Sequence, residues 1–383
     1  MLRAKNPPGG EGGRRSLTGP RLLIGVLLLL ALALVVTACG GSSGSSSSAE
    51  TTAESSEPAE SSGGAEEGAA EETAAAGGSA ESGSLEGKKV TVVSVAEGNP
   101  WAAVFNKIVE EKLGAEGASV TVVGSLEPAG QVQMLNQAVA ENPELIILEA
   151  LDSKAVAPAI AKAKAQGIAV LNADGKADPS VSSELNQVLS DNVSLGEYAA
   201  ENIIEGLEAE GKSSGNVGVI TGTAAMLLTQ ERMEGFNKVL GEHPSYKVVY
   251  EEDGNWEPVK SGELAKQMFA KFGKDGIQAA YGMADYMAVP IVSAAKQAGI
   301  PVGVKNNGLI VTGGNCFKVG IESIEAGEMY GTATEDPGTI AVQVSEYATK
   351  MLEGQEVPLT ETVKEARVYP KTLKQYTAQC TKA

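Results

Sequence analysis

The stretches KVTVVSV (Lys89–Val95) and LIILE (residues 145–149) decide the fold class. Both are short and rich in branched aliphatic residues, and neither alternates cleanly between apolar and polar residues. A strand with one face in water alternates, whereas a strand that is buried on both faces reads as a continuous apolar run. The two stretches therefore predict a parallel sheet that is covered by helices on both faces.

The same pattern continues along the chain, with helical periodicity between the strands. Further strands are predicted at 119–123, 168–171, 216–220, 246–250, 278–281, 301–304 and 309–312. Helices are predicted at 101–114, 130–141, 153–166, 194–208, 225–240, 259–272 and 286–297. Because the rhythm restarts after Asp191, the sequence predicts two α/β domains, with ligand sites in the loops that follow strands.

The charge balance of the chain is acidic. Its 383 residues include 49 acidic and 30 basic side chains, for a formal net charge of −19. This length suits about two domains. The acidic balance does not favour nucleic acid as a partner, because phosphates require cationic side chains. It is compatible with neutral or cationic ligands.

Residues 1–38 predict an export signal. Basic residues precede an apolar run of 17 residues, 22–38, which ends in small residues. This is the layout of a secretory signal, and the run is shorter than the ~20 residues of a membrane span. The tetrapeptide Val36-Thr37-Ala38-Cys39 resembles a bacterial lipobox, so we expect Cys39 to be acylated and to begin the mature chain. A retained N-terminal anchor helix is the alternative.

Residues 39–85 predict a disordered tether. The stretch 40–84 consists only of Gly, Ser, Ala, Glu, Thr and Pro, with nine glutamates and no lysine or arginine. Such a composition buries too little apolar surface to offset the entropy of ordering. We therefore expect the folded part to begin near Leu85.

The sequence predicts no catalytic residue, no metal site and no cofactor. It contains no GxxxxGK[ST] and no CxxC, and its single histidine, His243, precedes Pro244 in a predicted turn. The segment GNVG at 215–218 opens a strand and lacks the spacing of a dinucleotide-binding loop. In an exported chain Cys316 and Cys380 can form a disulfide, and two separate buried thiols are the alternative.

Eight dispersed segments occur in an order typical of one known family. They are Asn99-Pro100-Trp101, QVQMLNQAVAENPELIIL, AQGIAVLNAD ending at Asp174, SDNVSLGEYAAENI, RMEGF at 232–236, DGNW at 253–256, GMADYMAVPIVSAAKQAG and IESIEAGEMYGTATEDP. From about residue 88 to residue 358 the chain resembles the periplasmic sugar-binding proteins of ABC importers, which have the type I fold. The individual segments have little specificity, and their shared order behind a lipoprotein signal carries the resemblance.

The resemblance implies two Rossmann-like parallel-sheet lobes, joined by three strand crossings, that close on a sugar. The N-terminal lobe would comprise 86–191 plus 336–363, and the C-terminal lobe 192–335 plus 364–383. The ligand-binding set carried over from the family motifs is Asn99, Trp101, Asp174, Arg232, Trp256, Asp285, Asn315 and Glu335. The two tryptophans would cover a sugar ring, and the polar groups would form paired hydrogen bonds with its hydroxyls.

Each of these roles has a plainer alternative. The alternatives are core packing for Trp101 and Trp256, a turn before Gly175 for Asp174, a surface ion pair with Glu231 or Glu234 for Arg232, a helix cap for Asp285 and a hinge role for Glu335.

Four positions depart from the family pattern. Ala284 and Gly175 stand where the family usually has an asparagine and often an arginine, Asn315 replaces an aspartate and Glu335 replaces a glutamine. These departures do not favour ribose itself. With Arg232, such a set of acids would suit a polyol, an unusual sugar or a ligand that carries an amine.

The resemblance implies a solute-binding receptor, not an enzyme. We expect an exported monomer that is held at the outer face of the cell membrane by a lipid anchor. It would bind a sugar or polyol and deliver it to an ABC transporter permease. The alternatives are a ligand-sensing receptor for a membrane signalling partner and an exported carbohydrate-active α/β enzyme.

Overall fold

The computed structural model describes residues 85–382, in which strands and helices alternate. The strands are β1 Lys89–Val95, β2 Ser119–Ser125, β3 Leu145–Leu148, β4 Ala169–Asp174, β5 Asn186–Ser190, β6 Gly215–Thr221, β7 Tyr246–Asp253, β8 Ala279–Gly282, β9 Ile310–Thr312, β10 Thr332–Ala333, β11 Thr360–Val363 and β12 Arg367–Val368. The helices are α1 Pro100–Ala115, α2 Pro128–Glu141, α3 Ser153–Ala165, α4 Pro179–Ser182, α5 Asn192–Ala209, α6 Leu227–Glu242, α7 Pro258–Phe272, α8 Asp285–Gln297, α9 Lys318–Glu325, α10 Pro337–Leu352 and α11 Leu373–Cys380.

The first sheet contains six parallel strands in the order β11-β5-β4-β3-β1-β2. Every residue of β3 is buried, as the apolar run at 145–149 predicted. Successive residues of β3 belong to different clusters of the core, since Ile147 packs in one cluster and Ile146 in another. Helices α1 and α10 contact each other and the sheet, and α2 and α3 contact each other and the sheet as a second pair.

The second sheet contains four parallel strands in the order β7-β6-β8-β9. Its helices α5 and α6 pack together, and so do α7 and α8. Two parallel sheets with packed helices confirm the predicted α/β class. In both sheets the loops at the carboxyl ends of the strands are the places where the topology can build a ligand site.

The chain passes between the two sheets three times. It leaves the first sheet after β5, returns through α10 to β11, and then continues to β12. The short strands β10 and β12 pair antiparallel to each other. The predicted limits of the two lobes stay a prediction.

One predicted strand is not formed, and four strands, β5, β10, β11 and β12, were not predicted. The predicted strand at 301–304 is reduced to a single bridge between Val302 and Leu309, because Pro301 has no N–H to donate and Gly303 has a φ of +77°. Strand β5 was not predicted, because its sequence NQVLS places Gln187 and Ser190 among the apolar residues. Both polar side chains are buried and hydrogen-bonded, which offsets the cost of their burial.

The first described residue, Leu85, is already part of the core. It is fully buried, and its N–H donates a hydrogen bond to the carbonyl of Glu116. The export signal, Cys39 and the tether up to residue 84 lie outside the described residues. His243 is exposed at the end of α6.

Within the described part, no helix combines the length and the apolar character needed to cross a membrane. The same part holds no cluster of three or more His, Cys, Asp or Glu side chains that could bind a metal ion.

Candidate ligand-binding site

A small buried cavity lies where strand ends of both sheets meet. It encloses about 20 Å³, which is the room of one water molecule. Its lining residues are Asn99, Trp101, Asp174, Leu228, Arg232, Trp256, Tyr286 and Asn315. All eight are at least nine-tenths buried. Six of them belong to the predicted ligand-binding set.

Two loops of the first sheet bring Asn99, Trp101 and Asp174 to the cavity. Asn99 caps α1, where its Oδ1 accepts a hydrogen bond of 3.0 Å from the N–H of Ala102, and Pro100 takes the first helical position. Trp101 therefore lies in the first turn of α1, directly after β1. Asp174 is the last residue of β4 and has a φ of +67°, which aspartate tolerates better than most residues.

Trp101 is fixed by two contacts. Its Nε1 donates to Oε1 of Glu335 over 2.7 Å, and its ring stacks on Phe105 at 5.0 Å between centroids. Trp256, after β7, has its own constraints: a φ of +57° and an Nε1 that lies 3.0 Å from Sδ of Met226. Both tryptophans belong to the buried core and also line the cavity.

Arg232 is the only basic residue among the described residues that line the cavity, and it makes three hydrogen bonds. Its Nε donates to Asn192 over 2.8 Å, one terminal nitrogen donates to the carbonyl of Met283 over 3.1 Å, and the other donates to Glu335 over 3.2 Å. Burial lowers the pKa of Arg232, but the Glu335 carboxylate acts together with Tyr281, Asp174 and Tyr286, and the pKa is raised overall. The alternative of a surface ion pair is wrong, because Arg232 is buried and Glu231 pairs with Lys176 instead.

Glu335 lies directly behind the lining and joins three of its members. Its carboxylate accepts hydrogen bonds from Trp101, Arg232 and Nδ2 of Asn315. Burial and the nearby Asp174 carboxylate raise the pKa of Glu335, and the Arg232 guanidinium opposes them. Glu335 stands in the second crossing between the sheets, between β10 and α10, so one carboxylate connects groups from both sheets.

Asp174 presents one paired and one unpaired oxygen. Its Oδ1 accepts a hydrogen bond of 2.6 Å from the hydroxyl of Ser190. Among the described residues, none donates to Oδ2. Burial raises the pKa of Asp174, although the Arg232 charge and the Ser190 hydroxyl oppose the increase.

Glu335 and Asp285 are the two predicted site residues that do not line the cavity, and Asp285 has other partners. Its Oδ1 accepts from the Thr332 hydroxyl over 2.6 Å, and its Oδ2 accepts from the N–H of Phe317 over 2.7 Å. It does not serve as a helix cap either, because Ala284 occupies the cap position of α8. Asp285 instead holds the loop that carries Asn315.

The loop of Asn315 is also held from its other side. Cys316 forms a disulfide with Cys380 at the end of α11. Asn315 and Cys316 have consecutive positive φ values, 85° and 58°. Nδ2 of Asn315 donates to Glu335, and its Oδ1 is buried with no hydrogen-bond partner among the described residues.

Several residues at or near the site were not predicted. Tyr286 lines the cavity one position after Asp285, and its hydroxyl accepts from Asn99 over 3.4 Å. Leu228 lines it from α6, and a Cβ added at Gly175 would lie 3.1 Å from the Leu228 side chain, so a glycine after Asp174 was the available signal. Glu149 ends the run LIILE, and a glutamate at the end of a buried strand could have indicated a polar site there.

Comparisons with known proteins identify relatives of this chain. The model of the periplasmic binding protein domain matches residues 90–356, more than half of the chain. The D-allose-binding periplasmic protein of Escherichia coli is 26% identical over 250 residues, which are 63% of this chain and 77% of that protein. The D-ribose/D-allose-binding protein of Pseudomonas aeruginosa is 28% identical over 237 residues, which are 60% of this chain and 69% of that protein.

Solved structures show the same fold. The Caulobacter myo-inositol binding protein bound to myo-inositol has a TM-score of 0.69 at 21% identity, over 76% of this chain and 97% of that one. A periplasmic solute binding protein from Actinobacillus succinogenes with bound D-allose has a TM-score of 0.66 at 23% identity, over 76% of this chain and 100% of that one. The chain therefore belongs to the family of type I periplasmic sugar-binding proteins.

Proposed function

We propose that this chain is the solute-binding receptor of an ABC importer and that it holds a sugar or polyol between its two lobes. One observation carries the proposal: two indole rings, a carboxylate, a guanidinium and two amides from both sheets line a single cavity. Aromatic faces cover the apolar face of a sugar, and planar polar groups bind its hydroxyls in pairs. No nucleophile with an activating base occurs in this lining, so the geometry suits binding and not turnover.

The cavity supports binding by closure of the lobes. A volume of about 20 Å³ admits a water molecule and no sugar, so a ligand would enter only when the lobes separate. We propose 86–191 plus 336–363 and 192–335 plus 364–383 as the moving bodies. Closure would remove water from the hydroxyl-binding groups, and a missing hydroxyl would then leave a buried group unpaired at a cost of about 1–3 kcal/mol.

The names of similar proteins support sugars and polyols as the solute class. Relatives of this chain are named as D-allose-, D-ribose- and xylitol-binding proteins. The bound molecules in solved neighbours include D-allose and myo-inositol. A sugar or polyol of pentose or hexose size is the ligand class that we propose for this chain.

A signalling receptor is the second candidate, and one observation favours it. The fructose binding periplasmic domain of a hybrid two-component system matches with a TM-score of 0.67 at 20% identity. The ligand site would be the same, and the partner would differ. Affinity purification of the chain from crosslinked cell envelopes distinguishes the two, since recovery of a transporter permease supports the first candidate and recovery of a kinase supports the second.

We also propose that the receptor is exported and lipid-anchored at Cys39, and that residues 40–84 are its tether. Stable anchoring requires more than one acyl chain, which a modified N-terminal cysteine can carry. Replacement of the thiol in Cys39→Ser should move the protein from the membrane fraction to the soluble fraction. Retention of the variant in the membrane would contradict the lipid anchor and favour an uncleaved helix.

The binding proposal is tested with a panel of pentoses, hexoses, inositols and alditols. At 100 times its Kd, a ligand that binds only the native state stabilises that state by about 2.7 kcal/mol, so its melting temperature should rise. Tryptophan emission gives a second readout, because both tryptophans of the chain line the cavity. Unchanged melting and emission across the whole panel would contradict the proposal.

A further inference from the structure

Two oxygen atoms in the cavity lining need a hydrogen-bond donor. Oδ2 of Asp174 and Oδ1 of Asn315 have no donor among the described residues, and each residue is 3% exposed. Nδ2 of Asn315 is directed at the Glu335 carboxyl, which leaves its Oδ1 as the end without a donor. Two residues of the lining therefore carry an acceptor that has no donor among the described residues.

The charges around these acceptors do not balance. Arg232 is the one cation of the lining within residues 85–382, and Glu335 accepts one of its hydrogen bonds. Within residues 85–382 no side chain forms an ion pair with Asp174, and the Arg232 charge that favours its ionised form is paired with Glu335. Two further carboxyls, Glu149 after β3 and Glu365 between β11 and β12, are buried nearby and each interacts unfavourably with the charge of Asp174.

The remaining walls also favour a positive charge. The rings of Trp101 and Trp256 border the cavity, and the Arg232 guanidinium already lies 5.3 Å from the centroid of the Trp256 ring. Indole faces attract cations, and the attraction grows when water is excluded. A neutral ligand would supply hydrogen bonds to Asp174, whereas a cationic ligand would also favour the ionised form of its carboxyl, which burial disfavours.

We propose that the ligand is an amino sugar or amino polyol whose protonated amine donates to Oδ2 of Asp174 and Oδ1 of Asn315. An ammonium group supplies three donors and no acceptor, which matches two unpaired acceptors and an excess of negative charge. The inference rests on the proposed function and narrows its ligand class. The remaining donors of Arg232 and the hydroxyl of Tyr286 are left for hydroxyl groups of the same ligand.

The test compares ligands that differ only at one position. D-glucose, D-glucosamine and N-acetyl-D-glucosamine form one series, the corresponding D-galactose compounds a second, and myo-inositol with an aminodeoxyinositol a third. Binding is followed by tryptophan emission and by melting temperature on the purified full-length chain, at a pH where the amine is protonated. We expect the ammonium member of at least one series to bind ten times more tightly than its hydroxyl and acetamide counterparts.

The variant Asp174→Asn removes the charge and keeps the size and the positive φ of the residue. It should abolish the preference for the amine, whereas Asp275→Asn, an equal change at an exposed position, should preserve it. Equal or tighter binding of the neutral member in every series would overturn the inference and leave the proposed function standing. Absence of binding in all series would count against both, and the comparison of ligands on the unaltered chain does not depend on how the variants fold.

Discussion

Nε1 of Trp101 donates a hydrogen bond of 2.7 Å to Oε1 of Glu335, a residue 234 positions further along the chain. The other oxygen of the same carboxylate accepts from Arg232 on α6. A residue at the start of α1 and a residue of the second sheet are thereby joined through one crossing segment. This relation makes Glu335 the group whose removal should disturb the site most widely.

The variant Glu335→Gln should lower the free energy of unfolding by about 3 kcal/mol, because it leaves the buried guanidinium of Arg232 without its carboxylate. The new amide also cannot accept from Trp101, Arg232 and Asn315 as a carboxylate does. Denaturant unfolding measures the loss. Glu322→Gln is the matched control, since its exposed pair with Lys318 should contribute only about 0.5 kcal/mol. Equal losses in the two variants would refute a central role for Glu335.

The variant Gly222→Ala should displace Trp256. A Cβ at this position would lie 1.9 Å from the Trp256 ring, so the indole must move. We expect a loss of about 1–3 kcal/mol in stability and a shift in tryptophan emission. Gly241→Ala on α6 is the control, because nothing lies within 4 Å of the added methyl group. That control should be neutral or stabilising by up to about 1 kcal/mol, and an unchanged emission spectrum in Gly222→Ala would contradict the predicted displacement.

Removal of the disulfide should destabilise the chain and weaken ligand binding. The cysteines are 64 residues apart, and opening a loop of this length costs about 4 kcal/mol in the chain-entropy account. The double variant Cys316→Ser/Cys380→Ser tests this by denaturant unfolding, with the reduced unaltered chain as a comparison. Binding should weaken as well, because Asn315 precedes Cys316 directly. A double variant with unaltered affinity would show that Asp285 alone positions the loop.

Stability should fall between about pH 4.5 and pH 7 because of a buried carboxyl. Burial, followed by the charge of Asp174, raises the pKa of Glu149 from 4.5 to about 7. The native state therefore binds the proton of Glu149 more tightly than the unfolded state does. The stabilisation from this tighter binding is complete below pH ~4.5 and is lost as the pH rises through 7. At 1.36 kcal/mol per pKa unit this amounts to about 3 kcal/mol.

Over this pH range the free energy of unfolding of the variant Glu149→Gln should fall by about 3 kcal/mol less than that of the unaltered chain. Its amide can still accept from the Ser94 hydroxyl, which lies 2.6 Å from the carboxylate. Glu346→Gln on the exposed face of α10 should retain the slope of the unaltered chain. Parallel slopes for all three proteins, measured by unfolding at each pH, would rule out Glu149 as a source of the dependence.

The sequence predicts this fold well where one physical signal dominates. The apolar run at 145–149 predicts β3 because both faces of the strand are buried. The strand β5 escapes prediction because Gln187 and Ser190 are satisfied by Ala177 and Asp174, partners that composition cannot reveal. The same limit applies to Pro301, which ends a strand that its neighbours favour.

The residues of the site divide in the same way, into those with a clear signal in the sequence and those without one. Trp101, Asp174 and Trp256 were predicted because each follows a strand, where α/β sheets place their ligands. Asp285 was placed wrongly at the cavity, because an acid at a helix start gives no sign of whether its carboxylate faces a ligand or a neighbouring loop. Leu228 resembles any apolar residue of a helix, and only its contact with Gly175 distinguishes it.

The link between Cys316 and Cys380 has a consequence for how this protein is produced. Cytosolic expression keeps thiols reduced, so chains purified from that compartment would leave the segment of Asn315 untethered. Exported chains would carry the bond. Affinities measured on the two kinds of preparation would then describe different forms of one binding site, and the oxidation state of each sample should be recorded with its affinity.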